Sequence, residues 1–144
     1  PLTETGAILE YLGETALPDL VPADPLHRAR MREVMFYLAS TMHVNHAHLR
    51  RGHRWADSEA ARADMAAKVP ETMAASAAYI EALIEGPYLF GPDPTLADPY
   101  LYAAASWLDG DGVAIENFPK LATFKAMMES RASVRKAIAD GFFG

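Results

Sequence analysis

Cysteine is absent from the 144-residue chain, which excludes disulfides, thiolate metal sites and a cysteine nucleophile within this stretch. Long apolar runs are missing too. Nothing approaches the roughly 20 apolar residues of a membrane span, and no signal-peptide pattern opens the chain. A cytoplasmic setting without a membrane partner is therefore expected. Positive charge is in deficit, with 13 Lys and Arg against 19 Asp and Glu for a formal net charge of −6. Such a chain has no overall attraction to phosphate backbones, so no nucleic-acid partner is expected. Internal repeats are lacking, and no alternating apolar run is long enough for a strand. An initiating methionine is lacking as well: the sequence opens at Pro1, and a longer parent protein is the expectation.

What is present is a globular balance, 51% hydrophobic and 22% charged, in a length that suits one domain. A short helix is predicted from Glu4 to Leu12, with Ile8, Leu9 and Leu12 on its apolar face and Gly13 placed to end it. Residues 14–24 carry Pro18 and Pro22 and read as an extended, stiff linker. Asp24-Pro25 is a helix start, a capping carboxylate followed by proline at the first helical position. One helix is expected from there to about Arg51, its core stripe Met31, Met35, Leu38, Met42 and Leu49 at 3–4 spacing. A second runs from Ser58 to Glu85, with Pro70 inside it and expected to kink it. From Leu96 to Leu108 the apolar residues fall on every side, so that helix belongs in the middle of a bundle. Asp109-Gly-Asp-Gly112 stops it. Shorter helices are expected at Pro119–Ser130 and Ser133–Ala139. The body is all-α.

Thr95 and Asp98 have the spacing of a capping box. The hydroxyl would accept from the Asp98 N–H while the carboxylate reaches back to the Thr95 N–H. A buried helix needs this, since an unsatisfied buried donor costs about 1–3 kcal/mol. The turn Gly91-Pro-Asp-Pro94 before it completes the explanation, and Asp98 is assigned to stability.

Taken in order, these segments resemble the cytosolic glutathione transferases of bacterial type. Leu2-Thr-Glu-Thr-Gly-Ala-Ile-Leu-Glu-Tyr-Leu12 is similar to the last helix of the family's thioredoxin-like lobe. Phe90-Gly-Pro-Asp-Pro-Thr-Leu-Ala-Asp-Pro-Tyr-Leu101 is similar to the capping segment of its central helix, and Asn117-Phe-Pro-Lys-Leu121 with residues 131–137 to its closing helices. Pro94 and Pro99 depart from the pattern, standing where the family often pairs two apolar side chains. The resemblance implies a division into 1–13, the end of a thioredoxin-like lobe otherwise upstream of Pro1; 14–24, a linker; and 25–144, an all-helical bundle. It also implies a homodimer through the long helices. The thiol-activating residue would lie upstream, so the chain alone is expected to be inactive.

Glu4 and Thr5 have a physical reading of their own. Thr5 stands at a helix start, where free N–H groups and the positive dipole end favour a carboxylate, and its hydroxyl adds a donor. Glu4 beside it suits an ammonium. Together they fit the α-amino-acid end of a ligand, which the resemblance implies is glutathione, acting as co-substrate. The plainer reading makes Thr5 an N-cap and Glu4 a dipole-matching acid.

Four of the five histidines lie between His43 and His53. At helical spacing Phe36, Ser40, His43, Ala47 and Arg50 share a face beside the core stripe. The resemblance puts such a face at the pocket for the second substrate and His43 at the place of a family histidine near the sulfur. There it could hydrogen-bond the thiolate or the substrate's developing charge. His46 is the next candidate. The pocket is thus expected to be formed by Phe36, Ser40, His43, His46 and Tyr100. Zinc on His43 and His46 lacks a further ligand at helical spacing, and no metal is expected. His48, Arg50, Arg51 and His53 read as cations suited to a helix C-terminus. Trp107 and Phe124 are assigned to the core. The function implied is transfer of the glutathione thiolate to a small hydrophobic electrophile or a disulfide. A non-catalytic interaction module of the same fold, or an unrelated helical ligand-binding domain, remain as alternatives.

Overall fold

The structure, a computed structural model, describes residues 1–142. Among these residues there are seven α-helices, and one isolated bridge between Tyr88 and Gly91 stands where a strand would be. They are α1 (Thr5–Thr15), α2 (Pro25–Tyr37), α3 (His43–Arg51), α4 (Glu59–Leu83), α5 (Ala97–Ala105), α6 (Pro119–Ser130) and α7 (Ala132–Ala139).

The local start signals act as read. The Asp24 carboxylate accepts the His27 N–H at 2.9 Å at the head of α2, with Pro25 at the first helical position. Ser58 accepts the Ala61 N–H at 3.2 Å at the head of α4, which continues through Pro70. The head of α6 is satisfied from a distance, the Glu81 carboxylate of α4 accepting the N–H groups of Lys120 at 3.0 Å and Leu121 at 2.8 Å.

Three expectations need correction. The helix expected to run evenly from Pro25 to Arg51 contains a five-residue π-helical turn, Leu38–Met42, between α2 and α3. There the His43 N–H bonds the Leu38 carbonyl, and the Ser40 hydroxyl donates back to the Phe36 carbonyl at 2.8 Å, which loosens the α register. Gly13 does not end α1. It is buried within the helix, and a Cβ there would lie 2.7 Å from Val21 Cγ2 and 2.9 Å from Leu96 Cδ1; glycine is what lets α1 close onto the linker. The linker is therefore shorter than expected and is not extended throughout, since it forms a 3-10 turn at Pro18–Leu20.

α5 occupies the centre, as its all-round apolar sequence requires. Ala97, Tyr100, Leu101, Ala104 and Ala105 are buried in it, and Met31, Met35, Leu38, Met42, Val69, Met73, Ile80, Leu121 and Phe124 close around it. At its head Asp98 is fully buried and accepts the Thr95 N–H at 2.6 Å, the Thr95 hydroxyl at 3.0 Å and the Leu89 N–H at 2.8 Å. Half of the expected box survives. The Thr95 hydroxyl donates to Asp98 and accepts from the Ala97 N–H at 3.3 Å, not from the Asp98 N–H. The bond to Leu89 ties in the loop between α4 and α5. In that loop Gly86 is so close to Gly91 that a Cβ would stand 2.9 Å from the Gly91 Cα and carbonyl oxygen. Backbone cannot step aside as a side-chain tip can, so Gly86→Ala is expected to cost about 2 kcal/mol. A urea midpoint equal to wild type would contradict this.

Candidate functional site

The start of α1, the middle of the α2–α3 rod and the outer end of α5 converge on one cavity of about 260 Å³, lined by Thr5, Leu9, His43, Pro99, Tyr100, Ala103 and Trp107. Leu9, Pro99, Ala103 and the indole make it mostly apolar. Thr5, His43 and Tyr100 bring the few polar atoms that orient a ligand.

At the entry to α1, Glu4 has φ 67° and ψ 120°, and it is the one non-glycine residue at positive φ among the described residues. A side chain with a Cβ resists that region, at a cost of about 1–3 kcal/mol, and such strain gathers at ligand clamps. Glu4 makes no side-chain capping bond to α1. The first helical bond is the Ile8 N–H to the Glu4 carbonyl at 3.0 Å, so the N–H groups of Thr5, Gly6 and Ala7 precede the ladder and point out of the helix end. Thr5 is the first helical residue and not the cap, which is Glu4. Its side chain hydrogen-bonds the Tyr100 hydroxyl. Burial above all pushes the Tyr100 phenol up; the Thr5 bond opposes this and the Glu4 charge adds to it. Tyr100 therefore stays a neutral hydroxyl.

His43 lies with its ring centroid 5.4 Å from that of Trp107. Burial first, then the charges of Arg51, His46 and Arg54, hold its imidazole below the ordinary 6.5. It is neutral at pH 7 and can donate one N–H. His46, one turn on, stacks on Trp107 at 4.4 Å and 21° between planes, and its Nδ1 faces the Asp111 carboxylate at 2.8 and 2.9 Å. It lies beside the cavity without lining it.

Glu4, Thr5, Tyr100, His43 and His46 are thus brought into one neighbourhood. Phe36 and Ser40 are not: both are exposed, Phe36 to 69%, and neither lines the cavity. The π turn at Leu38–Met42, which holds Ser40 itself and separates Phe36 from His43, is the physical reason, because it slips the face that even α-helical spacing would continue. Phe124 is core at 1% exposure. Trp107 departs from its core assignment; it is half-buried and walls the cavity. The sequence reading does not single out Asp111, since within Asp109-Gly-Asp-Gly112 it looks like part of a helix stop. The available signal was an acid between two glycines, poor as surface decoration but good for turning a carboxylate inward.

Residues 46–140 match the family described as the C-terminal domain of glutathione S-transferase. The structure of a glutathione transferase homolog from Sulfitobacter with bound glutathione is similar over 99% of this chain and 69% of its own, at 52% identity and a TM-score of 0.94. A maleyl pyruvate isomerase, a bacterial glutathione S-transferase of the Zeta class, aligns over 94% of this chain and 67% of its own, at 27% identity and a TM-score of 0.75. Maleylacetoacetate isomerases of Pseudomonas aeruginosa and Rhizobium meliloti are 31% and 35% identical over 141 and 115 residues, or 94% and 74% of this chain. The chain spans 65% and 54% of the length of those two relatives.

Proposed function

The chain belongs to the glutathione S-transferase family, and from that premise we propose that it supplies the helical half of an enzyme that aims the glutathione thiolate at a hydrophobic electrophile. The observation that carries this reading is the strained entry to α1. Glu4 is held at φ 67° beside the unspent N–H groups of the first turn and the Thr5 hydroxyl. The Glu4 carboxylate receives the ammonium of the γ-glutamyl end, and the helix start with Thr5 receives its carboxylate. Tyr100 holds the Thr5 hydroxyl in place. The glutathione bound to the Sulfitobacter homolog, 52% identical to this chain, supports the same ligand here.

Leu9, Pro99, Ala103 and Trp107 receive the apolar part of the second substrate. His43, neutral at pH 7, donates its N–H to the thiolate or to charge developing on the electrophile. The group that lowers the thiol pKa belongs to a thioredoxin-like lobe ahead of Pro1, of which the segment through the end of α1 at Thr15 is the last part; residues 16–24 link it to the bundle 25–144. By itself the chain is expected to conjugate nothing. Among the described residues no helix is long and apolar enough to cross a membrane, and we place the complete protein in the cytoplasm as a homodimer.

Retention of the complete protein on immobilised glutathione tests the reading. Hydrogen bonds to charged groups are worth about 1.5–3 kcal/mol, so Glu4→Ala and Thr5→Ala should each weaken glutathione binding by about ten- to a hundredfold. Undiminished affinity in both variants would overturn the assignment. Binding without turnover by the complete protein would make it a non-catalytic module of the same fold.

A further inference from the structure

Trp107 also walls a second, larger cavity of about 410 Å³, enclosed by α5, α6 and the end of α7. It is the one residue that lines both. Elsewhere the two cavities draw on different positions of the same segment, Tyr100 and Ala103 lining the first, Tyr102 and Ser106 the second. Trp107, Ile138 and Phe142 supply the apolar wall. Phe142 is set in place by a closing turn: Gly141 takes φ 81°, and the Phe142 N–H bonds the Ala137 carbonyl at 3.0 Å. The residue is nonetheless 76% exposed, so an apolar body resting on its ring would remove that surface from water.

The polar part of the cavity is an ion pair on α6. Lys125 Nζ donates to Glu129 Oε1 at 2.5 Å, and the Tyr102 hydroxyl bonds the same carboxylate. Burial first, then the Glu129 charge, pushes the Tyr102 phenol up, which keeps it a donor. The Lys125 and Glu129 side chains are 28% and 39% exposed, against 61% and 71% for Lys68 and Glu71 on α4. This pair is therefore turned toward the cavity and not spread over a solvated helix face. An ammonium has three N–H groups and the bond to Glu129 uses one, while a carboxylate accepts from several donors. The Ser106 hydroxyl donates to the Ala103 carbonyl at 2.6 Å, so toward the cavity it only accepts.

Because the two charges cancel, the pair selects by charge. A carboxylate drawn to Lys125 meets Glu129, and an ammonium drawn to Glu129 meets Lys125. Either one brings a further charge out of water without a counterpart of its own. A neutral hydroxyl satisfies both, donating to Glu129 and accepting from Lys125. We propose that this cavity is a binding site for a neutral phenol of one or two rings, its hydroxyl at the Lys125–Glu129 pair and its rings against Trp107, Ile138 and Phe142. The volume lies within the range of small-molecule sites, about 300–1,000 Å³, and aromatic faces favour an aromatic body. The site stands apart from the glutathione reading and does not depend on it.

Calorimetric titration of the complete protein at pH 7 tests the site with three probes: 2-naphthol, 2-methoxynaphthalene, which cannot donate, and 2-naphthoate, which carries a charge. 2-Naphthol is expected to bind at least about tenfold more tightly than either. Glu129→Gln removes the repulsion and leaves Lys125 uncompensated, so 2-naphthoate should overtake 2-naphthol. A pair serving only to hold α6 would not move that order. Ile138→Trp, at a position 40% exposed, fills the cavity and should abolish 2-naphthol binding. Phe142→Ala, at the surface, keeps the test open should the larger side chain prevent folding, and is expected to weaken 2-naphthol about fivefold. Wild-type protein that binds 2-naphthoate as tightly as 2-naphthol overturns the inference. So does an unchanged order in Glu129→Gln, or wild-type affinity in a folded Ile138→Trp or in Phe142→Ala. The expected order of probes in a protein that does not bind glutathione supports this site and overturns the glutathione reading. Glutathione binding without 2-naphthol binding overturns this site alone.

Discussion

Asp98→Ala is expected to destabilise the fold by about 3–5 kcal/mol, near the sum for three stranded donors at roughly 1–3 kcal/mol each, less what water entering the vacated space restores. The donors are the N–H groups of Leu89 and Thr95 and the Thr95 hydroxyl, and none has a ready route to solvent, with Leu89 at 0% and Thr95 at 5% exposure. At about 2–4 °C per kcal/mol for a domain near this size, the Tm falls by on the order of 10 °C. A fall of less than about 2 °C would refute the argument. The pH dependence has a definite sign. Burial outweighs the hydrogen bonds that oppose it and raises the Asp98 carboxyl above its ordinary 3.8. The folded chain then binds that proton more tightly than the unfolded chain, so the associated stability is fully present below about pH 3.8 and is lost as pH rises through the raised value. As pH rises above about 4, the gap in urea midpoint between wild type and Asp98→Asn should narrow, the other titrations cancelling in the difference.

The second large effect is expected at the His46–Asp111 pair, whatever its chemical role. His46→Ala strips the counterpart from a carboxylate with no solvent exposure. Breaking a buried pair from one side costs about 3–5 kcal/mol, and the partial exposure of His46 moves the expectation toward about 3 kcal/mol. Removing Asp111 as well should return part of that loss, because the stranded charge goes with it. Urea unfolding of wild type, both single alanine variants and the double variant measures the coupling. A coupling below about 0.5 kcal/mol would mean that the carboxylate finds other compensation.

How far the sequence could be read depended on whether the determining interaction was local. Asp24, Ser58 and Thr95 announce helix starts because a cap and its N–H lie within a few residues of each other. The burial of α5 is legible because apolar residues surround it. Glu4 and Thr5 stand out by their pairing of opposite polarities at a helix entry, although the positive φ of Glu4 is invisible in composition. The role of Gly13 is not legible locally because its reason is Val21 and Leu96, which meet it only after folding. Asp111 does not stand out in the sequence because its partner His46 is 65 positions away. Phe36 and Ser40 followed from an unbroken α period that the chain does not keep.

That broken period has a geometric consequence for the histidines. Each α-helical residue turns about 100° around the axis, and the wide loop of backbone at Leu38–Met42 shifts the phase of everything after it. Closing that turn into an even α period at unchanged length would rotate His43 and His46 by about one residue's turn and swing both imidazoles off the indole, whereas deleting one position there, Ala39 for example, would let the rod close up evenly with both rings kept where they are. The aim of His43 and His46 is therefore written in the one extra residue that the wide turn absorbs upstream of them.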